Sequence, residues 1–176
     1  MYGWFHRPSW VTVWGRLAHL GDSKFVLGLG LCGFLEAVLR RMKAGGNSQR
    51  GPSTSVICSW AGIPIAQGMT FFLKEMVHRP RPAVLLHGIR ELSGEGGFSF
   101  PSGHSAGAFA LATALSLRWP QGKMFFFTAA FLVAVSRIAL GQHWPSDVFV
   151  GAFVGCASVM VCYWIGKNFS AAKKPV

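Results

Sequence analysis

Residues 136–147, Ser-Arg-Ile-Ala-Leu-Gly-Gln-His-Trp-Pro-Ser-Asp, place a cation, an imidazole and a carboxylate between two long apolar runs. Pro145 suits the first position of a helix, where a missing N–H costs nothing. Asp147 then falls in that helix's first turn, four residues past His143, and is expected to reach back to the imidazole. A carboxylate on one ring nitrogen fixes the tautomer and leaves the other nitrogen as a nucleophile or base. Arg137, one loop away, offers a guanidinium to an anion. Read alone, the segment is equally well a loop with an exposed histidine and a surface acid, so the rest of the chain has to decide.

Two earlier stretches bear on that choice. Lys74 and Arg81-Pro82 lie after one apolar run, and Pro101-Ser102-Gly103-His104 opens the next. Free N–H groups and the helix dipole make a helix start an anion site, and glycine lets an anion approach the backbone closely. Lys74, Arg81 and Arg137 are expected to converge there, where a bound oxyanion is the natural partner for cations at a membrane face. The residue types specify a phosphate cradle with two histidines, His143 and His104, placed for chemistry.

The elements that must position these residues follow from composition. The 176-residue chain is 51% hydrophobic and 13% charged, with a mean hydropathy of +0.38. That balance fits a polytopic membrane protein and not a soluble basic one. The net charge of +11 does not indicate nucleic acid, because the basic residues cluster at the ends of apolar runs. Cys32, Cys58, Cys156 and Cys162 all fall within apolar runs and read as small buried hydrophobes. Residues 1–20 lack the apolar core and cleavage site of a signal peptide.

The expected fold class is all-α, a polytopic membrane helix bundle of about five transmembrane helices plus an N-terminal interfacial amphipathic helix, in one domain covering residues 1–176. Trp10, Val11, Val13, Trp14, Leu17 and Leu20 recur at helical spacing, which places the interfacial helix within residues 1–21. The spans are expected at about residues 24–39, 56–73, 102–119, 123–140 and 146–165. Glu36 in the first is spaced to pair with Arg40. Gly103/Gly107 and Gly151/Gly155 have the small-xxx-small spacing of close helix approach.

The loops holding 74–101 and 136–147 are separated by two spans and therefore share a side. The other side carries Arg40, Arg41, Lys43, Arg50, Arg118, Lys123, Lys167, Lys173 and Lys174 with no offsetting acid. By the positive-inside rule the two loops face away from the cytoplasm.

The order Lys74-x6-Arg81-Pro82, Pro101-Ser102-Gly103-His104, Ser136-Arg137-x5-His143-x3-Asp147 resembles the three-part signature of the type 2 phosphatidic acid phosphatases, whose superfamily includes acid phosphatases and vanadium haloperoxidases. The motifs cover residues 74–147 with no departure at the signature positions. Membrane members often have six spans, and here the interfacial helix stands in place of the first. The resemblance implies that His143 is the nucleophile that forms a phosphohistidine and that Asp147 orients it. It implies that His104 is the general acid and then base. Lys74, Arg81, Ser102, Gly103 and Arg137 would hold the phosphate oxygens.

Side-chain cations would do the work of a metal, so no metal and no cofactor are expected. The implied partners are the bilayer and a membrane lipid phosphate: undecaprenyl diphosphate, phosphatidylglycerophosphate, phosphatidic acid or lipid A 1-phosphate. A bacterial inner membrane with an extracytoplasmic site follows by analogy. Two other readings stand beside this one. One is a lipid-to-lipid phosphotransferase of the same fold, and the other a non-enzymatic membrane anion-binding protein. His6, His19 and His87 are expected at the surface or interface without partners, His78-Arg79 adjoins the site outside the signature, and residues 88–100 read as a lid or a connector.

Overall fold

A computed structural model describes residues 8–45, 51–86 and 97–172 of the chain. Among them lie α1 (Pro8–His19), α2 (Ser23–Lys43), α3 (Thr54–Ser59), α4 (Gly62–Val77), α5 (Pro82–Leu85), α6 (Gly103–Arg118), α7 (Lys123–Ala139) and α8 (Pro145–Ala172). A 3-10 turn, Pro120–Gly122, joins α6 to α7. The described residues contain no strand. Pro8, Pro82 and Pro145 each begin a helix, as a residue with fixed φ and no N–H should.

The helix α6 is the axis of the bundle, packed against α2, α4, α7 and α8. Its sequence explains that position. Ala106, Ala108, Ala110, Ala112 and Ala114 are all buried, and short side chains let backbones come together. Gly151 of α8 lies against the Ser102 carbonyl, and Gly155 against the Ala106 carbonyl and Ala110 N. A Cβ at either position would fall far inside contact distance of backbone that cannot move away. In lipid, where apolar surface has no water to escape, such close packing supplies the association energy. The large apolar side chains point outward instead, among them Phe71, Phe131, Phe149, Phe153 and Trp164.

Among the described residues, three segments are long and apolar enough to cross a membrane: Thr54–Leu85, Pro120–Ala139 and Pro145–Ala171. They correspond to the expected spans 56–73, 123–140 and 146–165. The expected span 102–119 corresponds to α6, whose 16 residues make about 24 Å of helix against a hydrocarbon core of about 30 Å. Sheathed by its neighbours, α6 need not match the bilayer. The expected span 24–39 is part of α2, 21 residues long, whose apolar character is diluted by Lys24, Glu36, Arg40, Arg41 and Lys43.

The expected span 56–73 is broken into α3 and α4. Pro64 has no N–H to give the Trp60 carbonyl, and Ile63 N takes that carbonyl at 3.2 Å instead. The turn tightens there, and Gly62 at the break seats its backbone on Val159 of α8.

The helix ends are tied in register. Glu36 accepts from Arg118 Nη2 at 2.9 Å and also pairs with Arg40, as the spacing of the latter two suggests. Cys32 is exposed, and Cys58, Cys156 and Cys162 are partly buried, so the expectation of buried cysteines is corrected.

Candidate active site

At the opposite end of the bundle from Glu36, three helix ends and three loops enclose a cavity of about 410 Å³. Lys74, Arg81, Gly103, His104 and His143 line it, together with Gln67, Thr70, Glu75 and Phe98. These residues come from positions up to 76 apart in sequence. Of the sequence-predicted set, Ser102, Arg137 and Asp147 do not line the cavity. All three are buried directly behind it.

Each is held there for a local reason. Ser102 caps α6. Its hydroxyl accepts from Ser105 N at 3.3 Å and its own N–H donates to the Asp147 carbonyl at 3.0 Å. Arg137, in the last turn of α7, donates from Nη2 to Gln142 Oε1 at 3.4 Å. Arg81 Nη1 donates to the same amide oxygen, and its Nε donates to the Gly97 carbonyl at 3.1 Å. One neutral oxygen on Gln142 thus gathers two guanidinium groups beside the cavity. Lys74 Nζ donates to the Phe98 carbonyl at 2.5 Å. These carbonyl and amide partners orient the cations beside the cavity.

The geometry corrects one expectation about His143. Its Nδ1 lies 3.8 Å from Asp147 Oδ2, too far for a hydrogen bond. Its partner is the Ser99 carbonyl, at 2.6 Å. A carbonyl only accepts, so Nδ1 carries the proton and the lone pair lies on Nε2. Asp147 is engaged elsewhere. Its Oδ2 accepts from Trp144 N at 2.9 Å and its Oδ1 from Arg79 Nη1 at 2.7 Å. From Pro145 at the helix start, the carboxylate turns back to hold the Trp144 amide, which fixes the loop that presents His143. Burial, with Arg137, Lys74 and Arg81 nearby, outweighs Asp147 and lowers the His143 pKa to about 4. The ring is neutral at physiological pH.

His104, at the start of α6, has its Nε2 2.8 Å from Asp22 Oδ1. Asp22 also meets His19 Nδ1 at 2.8 Å, which corrects the expectation that His19 lacks a partner. His6 and His87 lie outside the described residues.

Sequence reasoning missed Asp22, Ser99 and Gln142, and left Arg79 outside the signature. Arg79 also donates to Ser146 Oγ at 2.8 Å and stands 5.3 Å over the Trp144 ring. Its neighbour His78 ends α4 in the left-handed conformation, φ 50°, with its ring edge-on to Phe98 at 4.2 Å. That conformation costs a non-glycine residue about 1 kcal/mol and turns the chain sharply toward Arg81. Of the residues expected as a lid, 88–96 lie outside the described set. Phe98 lines the cavity.

The family model of the PAP2 superfamily matches residues 55–171, more than half of the chain. The chain belongs to the PAP2 superfamily. Its long apolar segments and the helical bundle it shares with solved members make it an integral membrane protein, and the relatives it matches include lipid phosphatases. It superposes on Aquifex aeolicus LpxE with a TM-score of 0.70 at 30% identity, covering 89% of this chain and 87% of that one. With a PAP2-type phosphatidylglycerolphosphate phosphatase from Bacillus subtilis the TM-score is 0.69 at 26% identity, covering 96% and 80%. Among curated members, a lipid A 1-phosphatase of Rhizobium etli is 29% identical over 88% of this chain and 71% of its own length. Phosphatidylglycerophosphatase B of Escherichia coli is 34% identical over 46% of this chain and 34% of its own. The chain spans only 20% of the lipid A 1-phosphatase of Porphyromonas gingivalis that it also matches.

Proposed function

We propose that this protein removes a phosphate from a membrane lipid, as a monoester or diphosphate, through a phosphohistidine on His143. The observation that carries the reading is the tautomer of His143. Nδ1–H is committed to the Ser99 carbonyl, which leaves the Nε2 lone pair for a cavity lined by Lys74, Arg81, Gly103 and His104.

In the first step Nε2 attacks phosphorus, the P–N bond forms and the bond to the lipid oxygen breaks. His104 gives that oxygen its proton. In the second step His104 takes a proton from water, the hydroxide oxygen bonds to phosphorus and the P–N bond breaks. Lys74, Arg81 and the Gly103 amide hold the equatorial oxygens, and Ser102 and Arg137 support them from behind. Charge on those oxygens is largest in transit, so donors fixed beforehand lower the barrier without reorganising. Asp147 keeps the His143 loop in place and offsets positive charge on the ring. No metal is needed in this scheme.

The lipids that fit are undecaprenyl diphosphate, phosphatidylglycerophosphate, phosphatidic acid and lipid A 1-phosphate, and the names of the relatives favour the lipid A and glycerophospholipid members. The tail would remain in the bilayer. The whole chain would act as one domain in a bacterial inner membrane, with α1 in the interface and the site on the extracytoplasmic side.

The test is phosphate release by detergent-purified protein, with chelator present, on those four lipids. Turnover should fall at least about 1,000-fold in His143→Ala, as expected for loss of a covalent nucleophile. Near-native release by that variant would exclude the phosphohistidine. Transfer of the phosphoryl group to an added lipid alcohol with no free phosphate would make the protein a phosphotransferase.

A further inference from the structure

The junction of α1 and α2 reaches across the bundle to the site. Asp22 precedes α2 and makes no side-chain hydrogen bond to that helix's amides, so capping does not explain its orientation. Its Oδ1 lies 2.8 Å from Nε2 of His104, 82 residues away in sequence. Gly21 packs on the same imidazole. A Cβ there would stand 3.1 Å from His104 Cβ, 3.2 Å from its Cδ2, and closer still to Val133 of α7. The turn is therefore fitted to the histidine by a carboxylate on one ring nitrogen and by bare backbone on the adjoining ring edge.

We propose that Asp22 is a positioning residue for His104. It fixes the proton on Nε2, turns Nδ1 toward the substrate and sustains the imidazolium that gives its proton to the leaving lipid oxygen. The inference rests on the function proposed above. A carboxylate next to an imidazole favours the protonated ring, which is the form a general acid needs. Lys74, Arg81 and His143 line the same cavity and oppose a second positive charge there, and Glu75 at its rim favours one. Asp22 is in direct contact with the ring. Although partial burial raises the Asp22 pKa, hydrogen bonds from His19 and His104 hold it below its usual value. It remains an anion through the neutral range. His19, on α1, occupies the other oxygen at 2.8 Å, so the N-terminal helix is joined to the acid–base histidine through one carboxylate.

The test uses full-length protein and two substrates with the same long chain. One is an alkyl phosphate, whose leaving oxygen needs a proton. The other is a nitrophenyl phosphate, whose phenolate leaves without one. Asp22→Asn keeps the shape and removes the charge. General acid catalysis contributes about 100- to 10,000-fold, and loss of its positioning partner should remove about 10- to 100-fold of kcat/KM on the alkyl phosphate. The loss on the nitrophenyl phosphate should be under about threefold, because no proton transfer is missing there.

Asp22→Glu should restore part of the alkyl phosphate activity, and it carries the comparison if the Asn variant does not purify as a folded protein. Equal losses on both substrates would show a structural role and overturn the proposal, as would no loss on either. Failure of the unsubstituted protein to release phosphate, or a fully active His143→Ala, would instead overturn the phosphatase mechanism itself.

Discussion

At the scale of single residues, the site sets charges close together and separates them with neutral acceptors. Gln142 Oε1 faces Arg81 and Arg137, and being neutral it adds no negative charge between the two guanidinium groups. Gln142→Glu would put a carboxylate between them. KM should rise about 10-fold or more, the equivalent of about 1.4 kcal/mol, with kcat less affected. Steady-state kinetics on the preferred lipid checks this, and an unchanged KM would separate Gln142 from phosphate binding.

His143 gives a pH prediction. Its folded-state pKa of about 4 lies below the ordinary imidazole value near 6.5, so the neutral nucleophile persists through mild acid and is lost as pH falls through about 4. Referred to one ionisation state of the substrate phosphate, kcat/KM should hold down to about pH 5. A limb centred near 6.5 and assigned to His143 would contradict the buried, cation-flanked ring. The spacing of the three motifs made the histidines and cations gathered at the cavity legible in sequence, because each motif runs across a helix end and its adjoining loop. Ser99 on His143, Gln142 on Arg81 and Asp22 on His104 were not legible. They meet their partners across 44, 61 and 82 residues, which only the packed bundle brings together.

At the scale of elements, the helix order was readable from apolar runs and their basic ends, whereas the kink and the lengths were not. Hydropathy averages over the Trp60–Gly62 break and cannot register which carbonyl Pro64 leaves unserved. Nor does it distinguish a helix that faces lipid from α6, which is sheathed by other helices. The small-residue spacing in α8 did carry information. Gly155 rests on the α6 backbone, where neither side has a flexible end to yield. Gly155→Ala should destabilise the protein by about 1–3 kcal/mol, the usual cost of overpacking a close contact, and lower the melting temperature in detergent. Gly28 of α2 has open space around it, and Gly28→Ala should be neutral or stabilising by about 0.5–1 kcal/mol. Equal melting temperatures for the two variants would mean that the α6–α8 contact is looser than the packing shows.

At the scale of the whole molecule, ion pairs at opposite ends of the bundle fix which helix ends lie together. Glu36 with Arg118 joins the far ends of α2 and α6, and Asp22 with His104 joins their near ends. The near end carries the cavity, and the far end gathers Arg40, Arg41, Lys43, Arg118 and Lys123. A surplus of cations in short loops marks the cytoplasmic face, so the cavity should open away from it. Single cysteines test this in a chain whose four native cysteines are replaced by Ala or Ser. Leu86→Cys, just after α5 on the cavity side, is exposed. In intact cells or spheroplasts it should react with a membrane-impermeant maleimide. Ala171→Cys at the end of α8 should react only after the membrane is opened. The two sites lie at opposite ends of the chain's crossing pattern, so reversal of both results would invert the protein without disturbing the bundle. The chemistry would then act on the inner leaflet, and the lipids that present their phosphate to the cytoplasm would become the substrates to test. Labelling of both sites from outside would require α8 to begin and end on one side, which a 28-residue helix with an 18-residue stretch of mean hydropathy 2.1 does not permit.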